Sequence, residues 1–267
     1  MKTKKLNKNM VTNILYPVIF GVIILILCQT QIMHKILGTD VFTLPLPSRI
    51  IEIISENIPK IMVNVKATLI VSVGGLIVGS LLGYLLAIIA TVFPKGGAGG
   101  LSVAAAFNAI PIVVIAPIFN NLTKGISSDA SFRSMVAKTL VVTVFCMASM
   151  SINAYRGLNE LPPFSVDLLK SYAAGNFTIF KKLRLPNSMP YIFIALRVTV
   201  PGCIISGVVC EYFAEYVIGV GRQIRENIVT AQYATAWAYI AVACIMGIIM
   251  YIILLIAENI LLKGRKS

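Results

Sequence analysis

The sequence predicts an all-α, polytopic membrane protein with about six transmembrane helices. Three observations predict it. First, of 267 residues 58% are hydrophobic and only 12% charged, with a mean hydropathy of +0.89. Soluble domains keep roughly a quarter of their residues charged, so water is the wrong solvent for most of this surface. Second, the apolar residues gather in runs of the length a bilayer core demands, about 20 residues as a helix. Third, the basic residues, which give a formal net charge of +13, lie at the ends of those runs and form no basic domain. They act as topology signals, and the charge does not point to nucleic acid.

The first apolar run, near 14–33, follows the basic stretch MKTKKLNKNM. It is too long for the core of a signal peptide and no small-residue cleavage site follows it, so a retained helix is expected. The next spans are expected near 61–93, 101–122, 135–155, 191–213 and 236–262. Three links are long: 34–59, 156–190 and 214–235. The first of these holds LPLPSRIIEIISENIPK, an extended strip leading into a short amphipathic helix. Six spans put both termini on one side. With the N-terminus inside, thirteen Lys and Arg fall on inner segments and seven on outer ones, so a cytoplasmic N-terminus and a cytoplasmic 156–190 link are expected. Lys66 and Lys138 begin spans from outside, where their long stems can snorkel, and no function is assigned to them.

Chemistry-bearing residues are few. Cys28, Cys146, Cys203, Cys210 and Cys244 all lie in apolar runs without a CxxC pair, and His34 is the single histidine. Buried small hydrophobes account for the cysteines, and no metal site is expected. No G-x-x-x-x-G-K-[ST] phosphate loop occurs; the nearest string, LLKGRKS, has the wrong order. A membrane enzyme would want clustered His, Asp or Glu at helix ends, and a selective channel a carbonyl filter or charged ring; neither is visible.

The segment SYAAGNFTIFKKLRLPNSMP (171–190) asks why so apolar a chain keeps a basic, aromatic stretch in water. Pro162-Pro163 stops the preceding helix, and Ser165 is expected to cap a new one with Asp167 in its first turn. Leu168, Leu169 and Tyr172 share a face at helical spacing. Gly175-Asn176 is expected to bend the chain, Asn176 capping a second short helix over 177–183 with Ile179, Phe180 and Leu183 on one side. Leu185-Pro186 should end it, and Pro190 should start the fifth span. Two readings compete for this bent pair: an interfacial helix lying on anionic lipid, or a docking knob for a soluble partner.

The spacing resembles the cytoplasmic-loop signature of binding-protein-dependent ABC importer permeases, E-A-A-x3-G-x9-I-x-L-P. Leu185-Pro186 takes the L-P place, Leu183 the Ile, Ala173 the Gly, and Asp167-Leu168-Leu169 the E-A-A, with every gap of family length. The departures are Asp for Glu, Leu-Leu for Ala-Ala and Ala for Gly, and Gly175 is expected to supply the bend instead. LPLPSRIIEII, AIPIVVIAPIFNNL, SINAYRGL and EYFAEYVIGVGRQI resemble segments of the nitrate/sulfonate/taurine subgroup. SYAAxxxxIFxKLRLPNxxPYxFxAL is similar to members assigned to pyrimidine-precursor or riboflavin uptake.

The resemblance implies a MetI-like type I permease core over 45–262. Residues 1–44 would form a tail, the first helix and the start of an outer loop, with a short tail at 263–267. It implies a multi-pass cell-membrane subunit that binds no cofactor, its ATP and Mg used by partner ATPase subunits. A second permease copy, an extracytoplasmic solute-binding protein and membrane lipid are the other implied partners. The cargo would be a sulfonate- or nitrate-like anion or a pyrimidine/riboflavin-type precursor. Asp167, Leu168, Leu169, Tyr172, Ala173, Gly175, Leu183, Leu185 and Pro186 would couple to the ATPase.

Prolines free backbone carbonyls that lipid cannot satisfy, so Pro111 and Pro117, with Asn108, Asn120 and Asn121 nearby, mark the third span as either path-lining or a packed kink. Glu211 and Glu215 sit at the outer end of the fifth span, where Glu211 is either a translocation-path residue or an interfacial group near the gate, and Ile218–Gly221 with Arg222 and Arg225 has the look of a re-entrant turn or an ordinary outer loop. Gly75, Gly79 and Gly83, four apart beside Ser72, suit close helix packing.

Overall fold

The computed structural model describes residues 8–107, 109–213 and 218–262. Among them there is no strand. The helices are α1 Lys8–Gln29, α2 Ile32–Leu37, α3 Pro47–Glu56, α4 Ile58–Val92, α5 Pro94–Phe107, α6 Ile112–Leu122, α7 Ala130–Asn159, α8 Ser165–Ser171, α9 Asn176–Ile179, α10 Leu185–Phe213, α11 Val220–Val229 and α12 Tyr233–Leu261. Four of them are long and apolar enough to cross a membrane: α4, α7, α12 and the continuous Asn176–Phe213 rod that contains α10. α5 and α6 form a further, broken pair, and α1 carries a shorter apolar stretch, Val18–Gln29.

The most extensive helix contact joins α4 to α7, and α10 packs against both of them. The reason is a stripe of small residues on α4. A Cβ at Gly75 would lie 2.5 Å from the Val142 side chain; at Gly79 it would meet the Thr143 carbonyl at 2.5 Å, and at Gly83 the Met147 carbonyl at 2.5 Å. Backbones approach this closely only where side chains are absent, which gives dispersion contact along the whole interface where no hydrophobic effect drives association. Val142, Cys146, Phe193, Val200, Cys203, Tyr239 and Met246 fill the space where α4, α7, α10 and α12 meet. A second apolar cluster, Ala87, Met150, Ala154, Leu158 and Ala195, seals one end.

Three expectations need correction. The third span is not one rod near 101–122: its limbs, Gly99–Phe107 and Ile112–Gly125, meet at 96°. Pro111 opens the second limb in extended conformation, φ −60° and ψ 132°, which a proline with no N–H to satisfy can do at a helix start. Leu185-Pro186 does not end the second short helix of the 156–190 link. The chain passes from α9 through a π-turn, Phe180–Arg184, directly into α10. The Leu185 amide reaches back five residues to the Phe180 carbonyl, and this wider turn carries Pro186 without breaking the rod. The link 34–59 also holds α2, which the sequence pattern did not mark, besides the expected amphipathic α3. The side-chain amide of Gln29 ties α1 to the start of α3, donating to Ser48 Oγ at 3.2 Å and accepting from the Ser48 N–H at 3.1 Å.

Candidate functional site

At one end of the bundle the 156–190 link makes a projection on a rigid base. Phe164 starts it with a left-handed backbone, φ 60°, and is 83% exposed. Ser165 is the first residue of α8 and does not cap it; its hydroxyl donates to the Pro162 carbonyl at 2.6 Å. α8 buries none of its residues, and Tyr172, just past it, is 78% exposed. Its C-terminal turn is closed by two hydrogen bonds, Ala173 N–H to Lys170 O at 2.9 Å and Ala174 N–H to Leu169 O at 3.1 Å. This is a Schellman closure, and it places Ala173 at φ 54°. The bend therefore belongs to Ala173 and not to Gly175, which is extended at φ −71° and caps α9 in place of Asn176. The residue aligned with the signature glycine is the one whose backbone favours glycine.

The base is bolted to the bundle. The last carbonyls of α7 lack partners within their own helix, and donors from the next element supply them. Arg184 Nη1 donates to Leu158 O at 2.8 Å and to Asn159 Oδ1 at 2.8 Å. Asn187 Nδ2 donates to Gly157 O at 2.8 Å and Glu160 O at 3.0 Å. Tyr84 of α4 meets Ser188 of α10 at 2.9 Å. Ile179 is buried and Phe180 packs on the adjacent apolar cluster. Leu183 and Pro186 are half-buried in this base, while Leu168 and Asp167 are exposed on α8 and Leu185 at the head of α10.

At the opposite end a buried polar cluster holds the turn before α11. Glu211 is fully buried, and Thr68 Oγ1 lies 2.9 and 2.8 Å from its two carboxylate oxygens. Gly221 N–H donates to Glu211 at 3.0 Å, Val220 N–H to Thr68 Oγ1 at 3.0 Å, and Gly219 N–H to Asn64 Oδ1 at 3.0 Å. Three successive amides at the head of α11 thus find acceptors from α4 and α10, a carboxylate at a helix N-terminus among them. Gly219 has φ 125°, and a side chain there would collide with the Glu211 carboxylate. Lys138 is buried, not snorkelled as its place in the sequence suggested: its ammonium donates to the Ile218 carbonyl at 3.2 Å, because the folded-back turn offers an acceptor inside the bundle.

A family model described as "Binding-protein-dependent transport system inner membrane component" matches residues 75–266. The chain belongs to this family. It is an ABC importer permease, a membrane transport subunit and not an enzyme; in such systems the ATPase work is done by partner subunits. The formylaminopyrimidine transport permease protein ThiX of Halalkalibacterium halodurans is similar to it, 25% identical over 254 residues, which cover 95% of this chain and 97% of that one.

In this permease the path candidates fall in two places. Asn120 lines a small cavity with Lys138, Cys210 and Phe213, next to Glu211. Pro111 lines a neighbouring cavity of about 200 Å³ with Ile112, Ile115 and Phe145. Pro117 lies inside α6. Asn108 and Glu215 lie outside the described residues. The sequence reading missed Asn64 and Thr68, although the signal was present. Asn64, Thr68 and Ser72 stand four apart and run into the glycine stripe, so one α4 face is polar, then small. It also missed the ion pair between Arg197 of α10 and Glu258 in the last turn of α12, which cannot be found by spacing because its members lie on different helices.

Proposed function

We propose that this permease imports a pyrimidine-type solute, with α8 as the element that docks on a cytoplasmic ATPase. The single observation that carries the docking role is the contrast between α8 and its base. A helix with no buried residue and three exposed aromatics around it (Phe164, Tyr172 and Phe177) stands on a mount bonded to α7 and continuous with α10. A push on such a knob is delivered to two spans rather than absorbed by a loop. In the same reading the end bearing 156–190 is cytoplasmic, as are both termini. Asp167, Leu168, Leu169 and Tyr172 are the contact residues, with Ala173 shaping the turn and Gly175 opening α9. Leu183, Leu185 and Pro186 transmit the motion.

The rest of the assembly follows the family's division of labour. A second copy of the chain completes the permease, and a solute-binding protein presents cargo at the α11 end. Closure of the ATPase pair rocks the two copies between outward- and inward-open states. Pro111, Pro117 and Asn120 border the path in its outer half, and Asn108 belongs to the same stretch. Glu211 serves by fixing the turn beside it. The pyrimidine class is supported by the named cargo of the similar permease and by the wording of the coupling segment.

The test is co-purification of the ATPase together with uptake of labelled formylaminopyrimidine in cells carrying the full system. Tyr172→Ala should weaken ATPase binding by about thirtyfold, the effect of removing an anchor worth about 2 kcal/mol. Lys170→Ala should matter less, and mainly at low salt. Full recovery of ATPase and full uptake with Tyr172→Ala would make this segment a lipid-surface helix and remove the docking role.

A further inference from the structure

We infer that the cavity beneath α8 is a seat for the phosphate headgroup of an anionic phospholipid. The inference goes beyond the docking role proposed above and concerns the other side of the same helix. The cavity is about 600 Å³, within the range of small-molecule sites, about 300–1,000 Å³. It separates α8 from the end of α4 and from α9. α8 has seven residues and buries none of them. A helix that short gains little stability of its own in water and depends on what packs against it. Val166 and Lys170, one turn apart, line the cavity, whereas Leu168 and Tyr172, the proposed ATPase contacts, do not. Lipid and ATPase therefore take different faces of α8.

The cavity lies where the spans end. Thr91, in the last turn of α4, accepts from Asn159 Nδ2 at 3.0 Å, and Asn159, the last residue of α7, accepts from Arg184 Nη1 at 2.8 Å. Thr91 and Arg184 both line the cavity, so its floor sits at the level of a bilayer surface. From there an apolar lane runs down the span: Leu85, Ile89 and Val92 are exposed on α4 at i, i+4 and i+7, and Val92 forms part of the cavity wall. An acyl chain lying in that lane brings its headgroup to the cavity. Charge then selects the headgroup. Lys170 and Arg184 line the cavity and no acidic side chain does. Among the described residues the Lys170 side chain makes no hydrogen bond or ion pair. Arg184 is oriented by its bonds to α7, and its Nε and Nη2 carry further donors. An ammonium and a fixed guanidinium at a membrane surface suit a phosphate that brings no cation of its own. An acidic peptide would satisfy the two charges and leave the apolar lane without a use.

The experiment uses the full-length permease in phosphatidylcholine nanodiscs carrying increasing phosphatidylglycerol. Native mass spectrometry counts the phosphatidylglycerol retained per chain, which should saturate. Lys170→Gln should weaken retention about fivefold, the effect of one basic residue at an anionic lipid surface. Val92→Trp fills the cavity end without changing charge and should weaken retention at least as much. Lys182→Gln, exposed on the same link but outside the cavity, should stay near the unsubstituted value. Hydrogen exchange over 165–171 should slow as phosphatidylglycerol is added, and Lys170→Gln should blunt that effect. Full retention by either Lys170→Gln or Val92→Trp overturns the seat. So does an equal loss with Lys182→Gln, which would leave only diffuse surface charge. Inorganic phosphate in pure phosphatidylcholine slowing the exchange as much as phosphatidylglycerol does would make the ligand a free phosphate and overturn the lipid assignment. No ATPase enters these measurements, so a failure of α8 to bind an ATPase falls on the docking role alone.

Discussion

Ala173 carries a left-handed backbone at φ 54° and closes α8, in a place where glycine pays no steric penalty. An L-residue held there costs roughly 1–2 kcal/mol relative to its relaxed conformation. Ala173→Gly should therefore leave ATPase docking intact and raise the local stability of the turn by up to about 1 kcal/mol, net of the entropy that glycine adds to the unfolded chain. Ala173→Val should do the reverse, since a β-branched side chain is least tolerated at positive φ. Gly175 behaves oppositely to what its place in the sequence suggests. Its φ of −71° is open to any residue, and a Cβ there meets nothing within 4 Å, so Gly175→Ala should be silent. Hydrogen exchange at the Ala173 and Ala174 amides, compared across the three variants, reads the turn directly. Slower exchange in Ala173→Val than in the unsubstituted chain would contradict the assignment.

At the scale of elements, α8 matters through what holds it. Arg184 satisfies the last carbonyls of α7 and joins the coupling segment to that span. Hydrogen bonds from a charged donor contribute about 1.5–3 kcal/mol, and Arg184→Ala removes two of them. The knob face itself is untouched, so ATPase should still co-purify with Arg184→Ala while the yield of transport per ATP hydrolysed falls. Loss of binding and transport together would show that Arg184 lies in the docking surface itself. The same element shows what could be read beforehand. The short helices α8 and α9 and the spans α4, α7, α10 and α12 were legible, because period, proline position and residue spacing are local facts. The glycine stripe of Gly75, Gly79 and Gly83 was legible as packing for the same reason, and α7 lies against it. The π-turn that carries the chain through Pro186 was not, because proline's local rule predicts a stop and a long-range fit to α7 overrides it. Nor was the pairing of Glu211 with Thr68, or of Arg197 with Glu258. Sequence separations of 143 and 61 residues leave no periodic trace.

The whole molecule is polarised along its spans, with the exposed α8 segment at one end and the Asn64–Thr68–Glu211 clamp at the other. α7 joins the two: it begins beside Ser128 and ends at Asn159, about 45 Å away at helical rise. Orientation across the bilayer then follows from two positions. The excess of Lys and Arg on the segments that share a side with the 156–190 link is what supports the proposal that this end is cytoplasmic. Single cysteines at Ser171 and Ser128, both exposed, test it in a background where Cys28, Cys146, Cys203, Cys210 and Cys244 are replaced. Alanine suits Cys146, Cys203 and Cys210, which are buried and whose removal leaves only small voids. A membrane-impermeant maleimide added to intact cells should label Ser128→Cys and spare Ser171→Cys. Opening the cells should make Ser171→Cys reactive, and added ATPase should then protect it if α8 is the docking face proposed above. Labelling of Ser171→Cys from outside would invert the bundle, put α8 beyond the reach of any ATPase, and end the coupling role.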